Sequence, residues 1–160
     1  MAELKEGDRA PEFRAASSQG GEVGLADFRG RKKVVLYFYP KDDTPGCTKE
    51  ACGFRDVRAD FDAADTVVLG VSKDSVASHG RFQQKYGLTF PLLADPERAI
   101  IEAYGVWAEK TMYGKPTMGV VRSTFLIDRD GVVRRVWRGV KVDGHVDEVL
   151  AAARALGEPS

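Results

Sequence analysis

Two cysteines, Cys47 and Cys52, carry the reactive potential of this sequence. Both lie in one stretch, Pro40-Lys-Asp-Asp-Thr44-Pro45-Gly46-Cys47-Thr-Lys-Glu-Ala-Cys52. A thiolate is the nucleophilic form of cysteine, and a thiol of ordinary pKa, about 8.5, is only about 3% ionised at pH 7. Thr44-Pro45 reads as a helix start, with Thr in the N-cap place and Pro at the first helical position. Cys47 is then the third helical residue, where free backbone N–H groups and the positive end of the helix dipole favour the thiolate. A pKa brought down to about 6 would leave about 90% ionised, roughly a thirty-fold gain in reactive form. A packing role stays open, because Cys47 shares an apolar arc with Ala51 and Phe54, and buried free cysteine is common. Cys52 is turned about 140° away, on the side of Thr48, Lys49 and Asp56, where a thiol has no packing role. Five helical residues hold the two Cα atoms about 8 Å apart or more, and a disulfide tolerates at most about 7 Å. Any bond between them requires the first turns to unwind.

The neighbouring segments supply the frame. Lys33 to Tyr39 (KVVLYFY) is continuously apolar, rich in β-branched and aromatic residues, and predicts a strand buried on both faces at the centre of a sheet. Thr66 to Val71 (TVVLGV) repeats that signature, and Thr124 to Ile127 (TFLI) does so more weakly. Asp130-Gly131, between TFLID and VVRRVW, signals a hairpin. Pro45 to Asp62 predicts one helix, with Cys47, Ala51, Phe54, Val57 and Phe61 inside an arc of roughly 120°. Ser75 to Tyr86 and Pro96 to Tyr104 predict shorter helices, and Asp143 to Leu156 a closing one that stops at Gly157. This order is of the α/β class and fits a thioredoxin-like fold, a central mixed β-sheet flanked by helices. Asp8 to Phe28, with its Gly20-Gly21 turn, adds short strands at the N-terminal side. The cysteine stretch then follows the carboxyl end of the central strand, where open α/β sheets place their sites.

Composition narrows the function. The 160 residues, 43% of them hydrophobic, are read as one domain, 1–160, with no internal repeat. Lys plus Arg and Asp plus Glu both number 24, and a pI near 6.7 lacks the basic footprint of a nucleic-acid binder. The longest apolar run, Val34 to Tyr39, falls far short of the roughly 18 residues that span a bilayer. Met1-Ala2-Glu3-Leu4-Lys5-Glu6 carries charges where a signal peptide needs an apolar stretch, so the expected location is the cytoplasm. In that reducing compartment a structural disulfide is the lesser use of two cysteines.

The stretch PKDDTPGCTKEAC resembles the active-site segment of the peroxiredoxins, and among them the bacterioferritin-comigratory (Q-type) subfamily. Pro40, Thr44 and Cys47 meet the family's Pro-x-x-x-Thr/Ser-x-x-Cys pattern, and Cys52 falls where the subfamily has its resolving cysteine. MYGKPTMGVVRSTFLID is similar to the segment that carries the active-site arginine, which maps onto Arg122; Lys115-Pro116 is a departure, where a less rigid pair is expected. Gly7-Asp8-Arg9-Ala10-Pro11-Glu12-Phe13 resembles the family's opening. The resemblance implies a peroxidase. Cys47 thiolate attacks a hydroperoxide and becomes a sulfenic acid, with Arg122 stabilising the thiolate and polarising the peroxide. Thr44 directs its hydroxyl toward the peroxide oxygens, and Pro40 shields the sulfur. Cys52 then forms a disulfide with Cys47, and thioredoxin or a similar dithiol restores both thiols. No metal and no other cofactor is implied, and the subfamily points to a monomer.

Other readings stay open on the residues alone. A thiol–disulfide oxidoreductase typically carries Cys-x-x-Cys, but the matching position here is Glu50. A slow redox sensor, or a structural domain with inert cysteines, is also compatible. His79 and His145 are far apart and isolated, which speaks against a zinc site with the cysteines. Trp107 and Tyr113 are read as core residues or as lining for the approach to the site, and Arg134, Arg135 and Arg138 as a solvated strand face.

Overall fold

Beyond Lys33, whose Nζ donates to the Ala153 carbonyl at 2.7 Å, the strand Lys33–Phe38 carries only apolar or aromatic side chains with no face to give to water, and it is buried along its whole length. The structure is a computed structural model and describes residues 4–112 and 114–156. In chain order it contains β1 (Arg14–Ala16), β2 (Glu22–Gly24), a 3₁₀ turn (Leu25–Phe28), β3 (Lys33–Phe38), α1 (Pro45–Asp56), α2 (Arg58–Ala63), β4 (Thr66–Ser72) and α3 (Val76–Tyr86). These are followed by β5 (Leu92–Ala94), α4 (Ala99–Ala103), β6 (Trp107–Met112), β7 (Lys115–Val120), β8 (Ser123–Ile127), β9 (Val133–Arg138) and α5 (His145–Ala155).

The main sheet has the order β5-β4-β3-β8-β9, with β3 at its centre. β3 pairs in parallel with β4 and antiparallel with β8, and β4 pairs in parallel with β5. The sheet is therefore mixed, as the sequence predicts. Alternation along β3 feeds two cores. Val35, Tyr37 and Tyr39 join Phe54, Phe61, Phe82 and Val149, so α1, α2, α3 and α5 cover one face. Val34, Leu36 and Phe38 join Leu25, Ile101, Tyr104 and Phe125 on the other. Tyr37 stacks on Phe54 at 4.8 Å and on Tyr39 at 5.5 Å. Gly70 on β4 makes room for that stack, because a Cβ there would lie 2.9 Å from the Tyr37 ring.

Several elements depart from the sequence reading. The helix expected over 45–62 divides at Val57 into α1 and α2. Both halves touch α5, and α2 turns in addition onto β4. The helix expected from Pro96 begins only at Ala99, because the Asp95 carboxylate accepts from the Ile100 and Ile101 N–H groups at 3.0 and 2.8 Å and fixes the first turn there. β5 and the separate β6–β7 hairpin were not anticipated. In the hairpin Pro116 pairs with Thr111 in a two-stranded ribbon, where each strand has a free edge that tolerates a missing N–H. The N-terminal strands and the β8–β9 hairpin fall where expected. Among the described residues no helix is long and apolar enough to cross a membrane.

Candidate active site

The buried strand β3 leads through Tyr39 and the loop 40–44 into the first turn of α1. Pro45 is the first residue of α1 and Cys47 the third, as the sequence requires. Thr44 occupies the N-cap place with extended backbone, but its hydroxyl does not cap the helix. It donates to the Lys41 carbonyl at 2.8 Å instead. With its proton committed there, the hydroxyl oxygen presents lone pairs, so Thr44 can accept from a protonated group at the site. Pro40 is half-buried at the start of the same loop.

Cys47 is 1% exposed, and one nitrogen of the Arg122 guanidinium donates to its Sγ at 3.3 Å. The other terminal nitrogen donates to Glu50 Oε1 at 2.7 Å. The planar fork thus joins the sulfur to a buried carboxylate, a double contact that a lysine cannot reproduce. Gly46 permits this approach, since a Cβ there would meet the guanidinium at 3.1 Å. Burial pushes Glu50 up to about 7, against the opposing pull of Arg122. Its second oxygen, Oε2, and the Tyr37 hydroxyl are the buried side-chain oxygens that lack a hydrogen-bond partner among the described residues. For Arg122, burial works against the charge, but Glu50 and Cys47 outweigh it and raise the pKa. Both cysteines are free thiols. Cys52 is half-buried and lines a cleft of about 490 Å³ between α1 and the segment entering α5, beside Gly53, Val142 and Val146.

The loop 40–44 is strapped to α3. Asp42 accepts from the Tyr39 hydroxyl at 2.5 Å and from the Ser78 hydroxyl at 2.8 Å, and pairs with His79 Nδ1 at 2.7 Å. Asp43 accepts from Lys85 and Tyr86 at 2.8 and 2.7 Å. His79 Nε2 faces the Leu93 carbonyl at 3.0 Å. Asp42, Asp74 and His79 bring ligand-type atoms together, yet all three are already engaged in this hydrogen-bonded network. His145 bonds Thr124 at 2.8 Å, so neither histidine approaches the cysteines as a ligand.

Comparison with known proteins settles the family. The AhpC/TSA family pattern matches residues 6–136. The chain belongs to the AhpC/TSA family. A Coxiella burnetii protein named putative peroxiredoxin bcp is 54% identical over 147 residues, covering 92% of this chain and 97% of that protein. Peroxiredoxin Bcp of Bacillus subtilis is 48% identical over 152 residues, covering 95% and 96%. Among solved structures, a Xylella fastidiosa PrxQ superposes with a TM-score of 0.92 at 39% identity, covering 99% of this chain and all of that one. The Xanthomonas campestris bacterioferritin comigratory protein, described for its alkyl peroxide reduction activity, gives 0.86 at 45% identity, covering 91% and 92%. The chain is accordingly a Q-type peroxiredoxin with the thioredoxin-like fold, an oxidoreductase that takes peroxide as substrate and a dithiol as reductant.

The structure brings Cys47 and Arg122 into contact across 75 residues of sequence, and keeps Thr44 and Pro40 on the loop just before the helix. Cys52 faces a different cleft. Sequence reasoning missed Glu50 as a site residue. The signal was present: three residues after Cys47, Glu50 falls at about 300° on the helical wheel, inside the apolar arc. A carboxylate in an apolar stripe needs a buried partner, and that partner is Arg122. Trp107 packs at the edge of the second core with Lys73 and Arg98 over its ring, not beside the sulfur. Arg138 is not simply solvated, since it donates to the Leu4 and Gly105 carbonyls. Tyr113 lies outside the described residues, as does Gly157.

Proposed function

We propose that this chain is a monomeric cytoplasmic peroxidase of a single domain that reduces hydrogen peroxide and organic hydroperoxides, alkyl ones included, and is recycled by thioredoxin. Its task is antioxidant defence. Cys47 thiolate attacks the terminal peroxide oxygen: an S–O bond forms, the O–O bond breaks, and the leaving alkoxide, or hydroxide from hydrogen peroxide, takes a proton from solvent to become alcohol or water. Arg122 holds the thiolate and the peroxide oxygens through charge-assisted hydrogen bonds. The Thr44 oxygen accepts a hydrogen bond from the peroxide O–H, Pro40 screens the sulfur from water, and Glu50 positions Arg122. Cys52 then attacks the sulfenic sulfur, so that an S–S bond forms and the hydroxyl leaves as water. Thioredoxin's two thiols are oxidised as the Cys47–Cys52 disulfide is reduced.

The observation that carries this reading is the guanidinium of Arg122, held by Glu50 at 2.7 Å and donating to Cys47 Sγ at 3.3 Å. The alkyl peroxide reduction described for the Xanthomonas campestris relative supports the substrate class. The test is thiol counting and turnover. One equivalent of hydrogen peroxide should take the reduced chain from two free thiols to none, and thioredoxin with its reductase should sustain peroxide consumption. In Cys52→Ser the first oxidation should persist, as a sulfenic acid that dimedone traps, while turnover with thioredoxin stops. Two thiols surviving the oxidant would refute the cycle.

A further inference from the structure

Loop 40–44 takes a path that its own sequence does not favour. Asp43 has a φ of 57°, in the left-handed region that a residue other than glycine enters only under constraint. Its carboxylate is held there by Lys85 and Tyr86 in the last turn of α3. Asp42 is held by the beginning of the same helix, through the Ser78 hydroxyl at 2.8 Å and His79 Nδ1 at 2.7 Å, while its backbone N–H donates to Asp74 at 2.8 Å. Lys41 and Thr44 flank this clamped pair, and the Thr44 hydroxyl closes on the Lys41 carbonyl instead of capping α1. His79 is the fully buried member of the clamp. Its Nε2 stands 3.0 Å from the Leu93 carbonyl, which has no proton to give, so Nε2 carries one. Nδ1 and the Asp42 carboxyl share another, and the Tyr39 hydroxyl donates to the second carboxyl oxygen at 2.5 Å. Ring and carboxyl together form one hydrogen-bonded unit that ties the loop to α3 and β5.

We infer that His79 is a positioning residue for the peroxide step: through Asp42 it fixes the loop turn that presents the Thr44 oxygen to a peroxide at Cys47. The inference rests on the peroxidase reading above and adds to it a residue outside the cysteine stretch that touches neither substrate nor sulfur. Thr44 is the N-cap residue and Cys47 the third residue of α1, so a shift of the loop moves the acceptor relative to the sulfur. A misplacement of about 1 Å can cost a reaction about a hundred-fold in rate. Removing one partner from a buried polar network leaves the others short of hydrogen bonds, and they move to recover them. Here the partner that moves is Asp42, two residues from Thr44. A histidine that served only the fold would leave the orientation of the peroxide alone.

The experiment compares two reactions of Cys47 on the full reduced chain: oxidation by hydrogen peroxide, which brings an O–H to Thr44, and alkylation by iodoacetamide, which needs the thiolate but no acceptor. Both are read by quenched flow as the thiol remaining on the tryptic peptide 42–49, which cleavage after Lys49 separates from Cys52. The peroxide-to-iodoacetamide rate ratio cancels any change in thiolate content. His79→Gln places an amide near Nε2 and serves Leu93 but not Asp42, and should lower the ratio about ten-fold. His79→Asn places its amide near Nδ1, keeps the donor to Asp42, and should hold the ratio within about two-fold of wild type. Ser78→Ala, a milder change, removes one donor from the same carboxylate and should lower the ratio about three-fold. In a Thr44→Val background, His79→Gln should cause no further fall, because the residue acts through Thr44. The inference is overturned by a ratio unchanged in His79→Gln or, where that chain does not fold, in Ser78→Ala, and equally by an undiminished effect in Thr44→Val, while the peroxidase reading stands. A wild-type Cys47 that hydrogen peroxide does not oxidise overturns both.

Discussion

Glu50→Gln separates the electrostatics of the site from its shape. The wild-type carboxyl is pushed up from 4.5 to about 7 by burial, with Arg122 pulling the other way. A raised carboxyl pKa means that the folded state holds its proton longer than the unfolded chain does. The stability it contributes is therefore complete below pH 4.5 and is lost as pH rises through about 7. At about 1.4 kcal/mol per pH unit, the interval between those two values is worth about 3 kcal/mol. Glutamine has the same shape, still accepts from Arg122 through its carbonyl, and does not titrate. Urea unfolding under reducing conditions, followed by tryptophan fluorescence at pH 4.5 and pH 8, should show Glu50→Gln gaining about 3 kcal/mol on the wild type between the two. Activity should move the opposite way. At pH 8 the peroxide rate of Glu50→Gln should fall by roughly ten-fold, because a neutral amide holds the guanidinium less firmly than a carboxylate does. Parallel stability profiles, differing by less than about 0.5 kcal/mol across this range, would show that Glu50 is not held protonated by burial.

Two further substitutions probe the same contact. In Gly46→Ala the new methyl would stand 3.1 Å from the Arg122 nitrogen that bonds the sulfur, so the guanidinium must give by a few tenths of an ångström. The peroxide rate should drop several-fold while stability rises by up to about 1 kcal/mol from the helix preference of alanine over glycine; a variant with undiminished rate would show the contact to be incidental. Arg122→Lys retains the charge but replaces a fork with a single point, which cannot serve Glu50 and Cys47 together. Its peroxide rate constant should fall by about a hundred-fold or more, and a value near wild type would mean that charge alone suffices.

How much of this was legible in the sequence depended on the range of the cause. β3 and β4 were readable because continuous apolar runs have one stable environment, the centre of a sheet. The start of α1 was readable from Thr44-Pro45, which are local. The break at Val57 was not, since it lets α2 turn onto β4 while both halves stay on α5, partners that no window of sequence contains. α4 starts late for a similar reason: the cap comes from Asp95, upstream of the helix, so the proline at 96 marks a turn rather than the first helical residue. The site shows the same division. Cys47, Cys52, Thr44 and Pro40 share one stretch and could be weighed together. Arg122 was reachable only by resemblance to known segments, because 75 residues separate it from the sulfur it touches.

The helix that holds the sulfur is also built to let go of it. α1 has no side-chain cap, no acidic residue in its first turn, and glycines at 46 and 53, each lacking feature worth roughly 1 kcal/mol to an isolated helix. Three of these weaknesses go with a contact elsewhere. Thr44 withholds its cap to bond Lys41, Gly46 admits the Arg122 guanidinium, and Gly53 leaves only 3.0 Å between a Cβ and the Val146 side chain of α5. Glu50, in the middle of the helix, is fixed through Arg122 rather than through the helix itself. In the reduced enzyme the first turns of α1 are thus held by tertiary contacts that converge on Cys47. On the proposed cycle, oxidation of Cys47 to a sulfenic acid replaces the sulfur that Arg122 contacts and leaves the turn with little of its own to keep it wound. In that cycle the step that creates the electrophile for Cys52 also loosens the segment that must unwind for Cys52 to reach it, so sulfenic acid formation, not reductant binding, is the event that should release the turn.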